Sequence, residues 1–377
     1  MSSNRRIAQA APPGPRKQTA PLAHSAGSAL MATLAAMVAA AIAGLSPQVT
    51  QPISAAAPSC EIDGVDRIVA IGDVHGAYDR FVEILQVAGL VDDRQRWTGG
   101  RTQLVQTGDV VDRGPDSRRA LDLLRRLEGE ARRAGGAVHV LLGNHEVMRM
   151  LGDLRYVDPG EYEAFVTGRS ERIRRDFLDA LDQSLREQLI KETPLGQVEM
   201  RVEFGRDGEY GEWLRTLDTV VKVNGILFLH GGISPRLAGT PCEAINTAIR
   251  RELTEDLDAT REAPLDALSV TEDGPLWYRG LAREPDDTFA AAVDEILAKQ
   301  NARAIVTGHT LAPDGRIHLR FGGKVVQIDT GMQPAYVSDG RASALEIQNG
   351  VFTAIYTDRR DVLVAVPSAP AAAAPGR

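Results

Sequence analysis

Five apolar runs in this chain end in Asp, Asn or His. They read GDVHG (72–76), GDVVDRG (108–114), GNHE (143–146), HGG (230–232) and GH (308–309), with a glycine in each. Four of the seven histidines fall at these ends: His75, His145, His230 and His309. His24 lies near the start of the chain. His139 and His318 lie within apolar runs, where a satisfied or solvated ring is the default. Carboxylates and imidazoles that converge on one edge make a cation site. Asp, Asn and His suit a borderline divalent ion such as manganese, iron or zinc. The set contains no cysteine, which argues against a structural zinc knot. One Asp-x-His is common by chance, but five such ends in succession are hard to obtain by accident.

The elements that position these residues alternate. RIVAIGD is a short strand closed by Gly-Asp. A helix follows with Phe81, Ile84, Leu85 and Ala88 on one face and Gly89 as its stop. TQLVQTGD is a second strand, followed by an amphipathic helix carrying Leu121, Leu124 and Leu127 and halted at Gly135-Gly136. AVHVLLGN is a third. This β-α-β-α-β order predicts an α/β layered domain with strands running the same way. In such sheets, sites gather at the carboxyl ends of strands. The glycines are expected to permit the sharp turns that expose each polar residue.

Residues 150–222 interrupt the order. Ile173, Phe177, Leu181, Leu185 and Leu189 recur at four-residue steps, so a mostly helical insertion is expected after the third strand. It reads as a lid over the sheet edge or as a packed surface helix. Strand character returns in DTVVKVNGILFLHGG and, after a helix near 286–301, in ARAIVTGHT. From Lys324 to Val366 several strands are expected, with Asn349-Gly350 as a hairpin turn. The tail, 367–377, is low in complexity and expected to be disordered.

The net charge of −8 over 377 residues excludes a general nucleic-acid binder, which needs clustered Lys and Arg. Residues 1–57 differ from the rest. They carry Arg5, Arg6, Arg16 and Lys17, no acid, and an apolar run over 29–45 followed by small residues. That order predicts an export signal or an uncleaved anchor, hence a periplasmic protein or one tethered outside the inner membrane through 29–45; a transit peptide fits the composition too. The main domain is expected to span 58–366. Cys60 and Cys242 are the two cysteines, read either as a disulfide or as unrelated thiols.

The motifs GDxHG, GDxVDRG, GNHE and HGG all stand intact, and the chain resembles the metallophosphoesterases, specifically the phosphoprotein phosphatase branch. GNHEVMRMLGDLRYV (143–157) and the helical insert make it most similar to the bacterial Shewanella-like, or Shelph, phosphatases. The resemblance covers about residues 65–357 and implies a β-sandwich flanked by helices. It implies two divalent cations, manganese foremost with iron or zinc as alternatives. Asp73, His75 and Asp109 would hold one; Asp109, Asn144, His230 and His309 would hold the other, with Asp109 bridging and a hydroxide between them as nucleophile. His145 would protonate the leaving oxygen, oriented by Asp112; its bland reading is a helix cap. Arg113 would grip the phosphoryl group. Arg279, in GPLWYRG, is the candidate second arginine, or else part of a structural ion pair. Trp277 and Tyr278 are core or pocket wall. DTGM (329–332) echoes the family, and a strand-end turn explains it equally well. The resemblance implies a phosphomonoesterase acting on phosphorylated proteins or peptides, phosphotyrosine before phosphoserine. A dinucleoside polyphosphate hydrolase and a non-catalytic metal-binding module are the rivals.

Overall fold

The computed structural model describes residues 60–181, 189, 192–256 and 266–365. The leader, its apolar run at 29–45, the tail 367–377 and Leu185 lie outside the described residues. No helix among the described residues is long and apolar enough to cross a membrane.

Among the described residues, twelve strands form two six-stranded sheets. The first has the order β12-β11-β10-β2-β3-β4 and the second β1-β5-β6-β7-β9-β8. In the first, β2 (Arg67–Ile71), β3 (Gln103–Gln106) and β4 (Ala137–Val140) run parallel, as the alternating pattern predicts. β10 (Ser343–Gln348), β11 (Val351–Tyr356) and β12 (Arg360–Ala365) extend that sheet antiparallel. Asn349 and Gly350 both take positive φ between Gln348 and Val351, the turn that joins two right-twisted strands. The second sheet holds β1 (Glu61–Ile62), β5 (Val220–Val223), β6 (Ile226–Leu229), β7 (Ala304–Thr307), β8 (His318–Arg320) and β9 (Val325–Gln327). There β6, β7 and β9 are parallel.

Strand residues alternate between two apolar layers. Ile68 and Ala70 of β2 meet Phe228 of β6 and Val306 of β7 between the sheets. Their neighbours Val69, Ile71, Leu227, Leu229 and Ile305 face outward into helices. Strands buried on both faces read as continuous apolar runs. The helices α1 (Tyr78–Val87) and α2 (Ser117–Arg133) supply Phe81, Ile84, Leu121, Leu124 and Leu127 to that outer layer. This is the expected sandwich flanked by helices.

After β4 comes α3 (Asn144–Met150), then a 3-10 turn (Pro159–Phe165), α4 (Ser170–Asp179), α5 (Gln197–Glu203) and α6 (Glu209–Leu214). The insertion is mostly helical where it is described, with turns between the helices. It ends earlier than its expected boundary at 222, because Val220 and Val221 pair with Leu229 and Phe228 in β5. The four-residue stripe is half-buried at Ile173 and Phe177 and buried at Leu181 and Leu189, with Leu178 buried beside it. Steps of four overshoot a 3.6-residue turn, so the buried face drifts.

Then follow α7 (Cys242–Arg251), α8 (Gly280–Arg283) and α9 (Asp286–Lys299). Cys60 and Cys242 are joined in a disulfide with Cα atoms 6.3 Å apart. It ties the residue before β1 to the first turn of α7.

Candidate active site

The carboxyl ends of strands from both sheets meet. Asp73, Asp109 and Asn144 follow β2, β3 and β4; His230 follows β6 and His309 follows β7. The connections here are tight. His75, Asp109, Asp112, Arg113 and His309 all have φ between 49° and 72°, a region that costs a non-glycine residue about 1–2 kcal/mol. Such backbone persists only where the surroundings over-determine it. Glu146 does this for one turn: its carboxylate accepts the N–H groups of Asp109 (2.8 Å), Val110 (2.8 Å), Val111 (3.2 Å) and Gly143 (2.8 Å).

The glycines have two roles, only one of them expected. Gly108 takes a φ of +92° and makes a turn. Gly143 and Gly308 instead provide room. A Cβ on Gly143 would stand 2.2 Å from Asp109 Oδ1, and one on Gly308 would stand 2.4 Å from Asp73 Oδ1.

All six residues expected to hold metal come together, and all are buried. Asp109 Oδ2 is the hub, 3.2 Å from His230 Nε2, 3.7 Å from His75 Nε2 and 3.8 Å from His145 Nε2. Asp73 Oδ2 is 3.9 Å from His75 Nε2, and Asp73 accepts the His309 N–H. The imidazoles are oriented from behind. His75 Nδ1 donates to Val111 O (3.0 Å), His230 Nδ1 to Thr107 O (2.9 Å) and His309 Nε2 to Trp277 O (3.2 Å). Each ring therefore turns its other nitrogen inward. His230 Nε2 faces Asn144 Oδ1 at 2.9 Å and Asp109 Oδ2 at 3.2 Å. A cation among these three atoms would be met by all of them once the imidazole is neutral.

The charges agree with that fit. Burial, then Asp329 and Asp109, hold Asp73 well above the usual carboxylate range. Burial chiefly lifts Asp329 to about 6. Burial drives His75 down to about 4 and His309 lower still, so both rings are neutral. Two donor groups result, His75–Asp109–His145 and Asp109–His230–His309, with Asp109 in both. Crowded carboxylates beside neutral imidazoles suit divalent metal.

His145 opens α3, and its side chain does not cap the helix. Its Nδ1 donates to Asp112 Oδ2 at 2.6 Å. Burial alone would lower its pKa, but Asp109 and Asp112 outweigh that and raise it. Arg149, one helical turn on, donates to Asp112 Oδ1 and, at 2.9 Å, to Glu161 Oε2.

Arg113 lies 3.7 Å over the Tyr336 ring and 4.8 Å from that of Tyr156. Among the described residues Arg279 makes no ion pair, the alternative expected for it from the sequence. Its Nη1 donates to His309 O (2.8 Å) and Thr310 Oγ1 (3.0 Å). Both arginines, with His75, Asp109, Asn144 and His145, line one cleft of about 380 Å³. Asp329 and Tyr336 line it too, whereas Trp277 and Tyr278 pack against the core. Among the described residues none of 150–222 lines the cleft, but Tyr156 of the insertion stands 5.2 Å from the His145 ring and 4.8 Å from Arg113, both of which line it. Sequence reasoning passed over Glu146, Arg149, Glu161, Tyr156 and Tyr336. Glu146, Arg149 and Tyr156 were signalled as letters of 143–157; Glu161 and Tyr336 carry no pattern.

A helix-flanked sandwich that delivers acids and imidazoles from both sheets to one edge is the frame of a metal-dependent phosphoesterase. Residues 66–313 match the family described as calcineurin-like phosphoesterase, and the chain belongs to that family. Within it, the chain groups with the Shewanella-like protein phosphatases. Shewanella-like protein phosphatase 2 of Arabidopsis thaliana is 31% identical over 299 residues, 75% of either chain. The solved cold-active protein-tyrosine phosphatase of a psychrophilic Shewanella superposes with a TM-score of 0.64 at 29% identity, covering 81% of this chain and 82% of that one. The symmetrical bis(5'-nucleosyl)-tetraphosphatase of Cronobacter sakazakii is 40% identical, but over 77 residues, 20% of this chain and 22% of its own.

Proposed function

We propose that this chain is a phosphoprotein phosphatase, a phosphomonoesterase that uses two divalent cations, manganese foremost, and favours phosphotyrosine. One observation carries the reading: His145 is held by Asp112 at 2.6 Å while its Nε2 faces the shared Asp109 carboxylate across the cleft. Asp73, His75 and Asp109 would hold one cation, and Asp109, Asn144, His230 and His309 the other. When bound, the pair supplies positive charge for the phosphate and a water acidified toward neutral pH. Asn144 contributes a neutral oxygen, which limits negative charge where an anion must enter. The Arg113 and Arg279 guanidiniums face the cleft, where each fork can take two phosphoryl oxygens. His145, whose pKa Asp109 and Asp112 raise against burial, would give its Nε2 proton to the departing oxygen. Asp112 keeps the ring in place through the transfer.

Two aromatic residues support an aryl leaving group. Tyr156 and Tyr336 flank Arg113 and remain 41% and 51% exposed, offering flat faces beside the reacting group. The relatives named tyrosine and protein phosphatases support the same substrate class. The Cys60–Cys242 disulfide supports work in an oxidising compartment, in keeping with export or tethering through 29–45.

The test uses purified protein stripped of metal and reloaded with manganese, iron or zinc. Rates are measured on a phosphotyrosine peptide, the matching phosphoserine peptide and diadenosine tetraphosphate. The expected result is highest kcat/KM on phosphotyrosine with manganese. Turnover of the dinucleotide alone rejects the reading, and metal binding without turnover of any substrate makes the chain a binding module.

A further inference from the structure

Behind His145 lies a closed ring of buried polar groups. Asp112 gives one carboxylate oxygen to His145 and the other to Arg149. Arg149 Nη2 also donates to Glu161 Oε2 at 2.9 Å. Glu161 Oε1 accepts from Ser117 Oγ at 2.8 Å, and Ser117 Oγ accepts from the Asp112 N–H at 3.1 Å, which closes the ring. All four residues are at most 2% exposed. They come from four places: the turn after β3, the start of α2, α3 and the helical insertion. Met200 and Phe204, also from the insertion, pack on the same guanidinium.

We infer that Glu161 and Arg149 are positioning residues through which the insertion aims His145 at the leaving oxygen. The physical reason is directional. Asp112 sits at a φ of 72°, a conformation its own backbone disfavours. Its side chain can point Oδ2 at His145 only while Arg149 holds Oδ1 and Ser117 holds its N–H. Arg149 has two carboxylates to choose from, and Glu161 keeps the guanidinium from swinging fully onto Asp112. Neither Arg149 nor Glu161 lines the cleft. This inference rests on His145 being the proton donor.

A misaimed acid slows esters whose leaving group needs a proton and spares those whose leaving group does not. Phenyl phosphate is the first kind and 4-nitrophenyl phosphate the second. With manganese-loaded protein at pH 8, above the value of about 7 to which burial lifts Glu161, Glu161→Gln keeps the shape and removes the charge, and is expected to lower kcat on phenyl phosphate by about tenfold or more, part of the range that general acid catalysis spans. On 4-nitrophenyl phosphate the loss is expected to stay below about twofold, since that step draws little on the acid. Ser117→Ala should show the same selectivity with a smaller loss, and it decides the matter if Glu161→Gln does not fold. A loss equal on both esters, or none on either, overturns the inference. His145→Asn is run beside them. Its failing to discriminate the esters removes the proton donor itself, whereas discrimination by His145→Asn alone removes only the role of the ring.

Discussion

His145 Nδ1 stands 2.6 Å from Asp112 Oδ2, so the imidazole is gripped from behind by a carboxylate with no solvent exposure. An imidazole held this way keeps one orientation and one proton fixed, leaving Nε2 as the acid. His145→Asn leaves Asp73, His75, Asp109, Asn144, His230 and His309 in place but has no proton to give at neutral pH. Turnover is expected to fall by about 10²–10⁴-fold, the usual worth of general acid catalysis. Steady-state kinetics beside elemental analysis checks it, and near-wild-type kcat with full metal content removes His145 from the mechanism.

Asp109 occupies both donor groups, and its Oδ1 also accepts the His145 N–H at 3.0 Å. Asp109→Asn replaces one oxygen of the hub with a donor nitrogen that cannot face a cation. Both cations are expected to weaken together, and titration should show loss at two sites from one substitution. A variant that keeps two tight equivalents of metal contradicts the shared carboxylate.

Most of this site was legible in the sequence because its residues follow strands. A parallel strand buried on both faces is an unbroken apolar run, and the polar residue that ends it is conspicuous. Asp73, Asp109, Asn144, His230 and His309 could be read that way. Glu161 and Tyr336 could not, since each lies in a loop or turn whose neighbours have no period and reaches the site only through tertiary packing. The glycines show the same limit. Their presence was plain, but whether one makes a turn, as Gly108 does, or clears space for a carboxylate, as Gly143 does, depends on contacts with distant residues. The four-residue stripe of the insertion predicted a helix, and of its described members Leu181 and Leu189 are buried while Ile173 and Phe177 are half-buried.

The disulfide joins residues 182 apart in sequence. Closing so long a loop removes entropy from the unfolded chain, and the chain-entropy model puts the stabilisation near its upper range, about 5 kcal/mol. Neither cysteine lines the cleft. The double variant Cys60→Ser, Cys242→Ser is therefore expected to unfold about 2–5 kcal/mol more easily, the usual result of removing a native bridge. Its kcat at 25 °C should match that of the parent. Denaturant unfolding monitored by circular dichroism checks the first part, and an unchanged midpoint would show that the bridge constrains nothing.

One guanidinium shared by two buried carboxylates leaves one of them short. Arg149 is held charged by Glu161 and Asp112, while burial and the Asp112 charge, working against Arg149 and Ser117, push Glu161 up to about 7 from an ordinary 4.5. The folded chain then binds this proton more tightly than the unfolded chain. Between about pH 4.5 and 7 the folded state carries the extra proton, so the contribution of Glu161 to stability is full below that window and is lost as pH rises through it. The displacement corresponds to at most about 3 kcal/mol. Gln at this position does not titrate. The unfolding free energy of Glu161→Gln minus that of wild type is therefore expected to rise between pH 5 and 8, by up to about 3 kcal/mol. Paired denaturant curves at several pH values measure this difference, in which the titrations of all other residues cancel. A difference that stays flat means Glu161 remains ionised throughout, and Arg149 then satisfies both carboxylates at once.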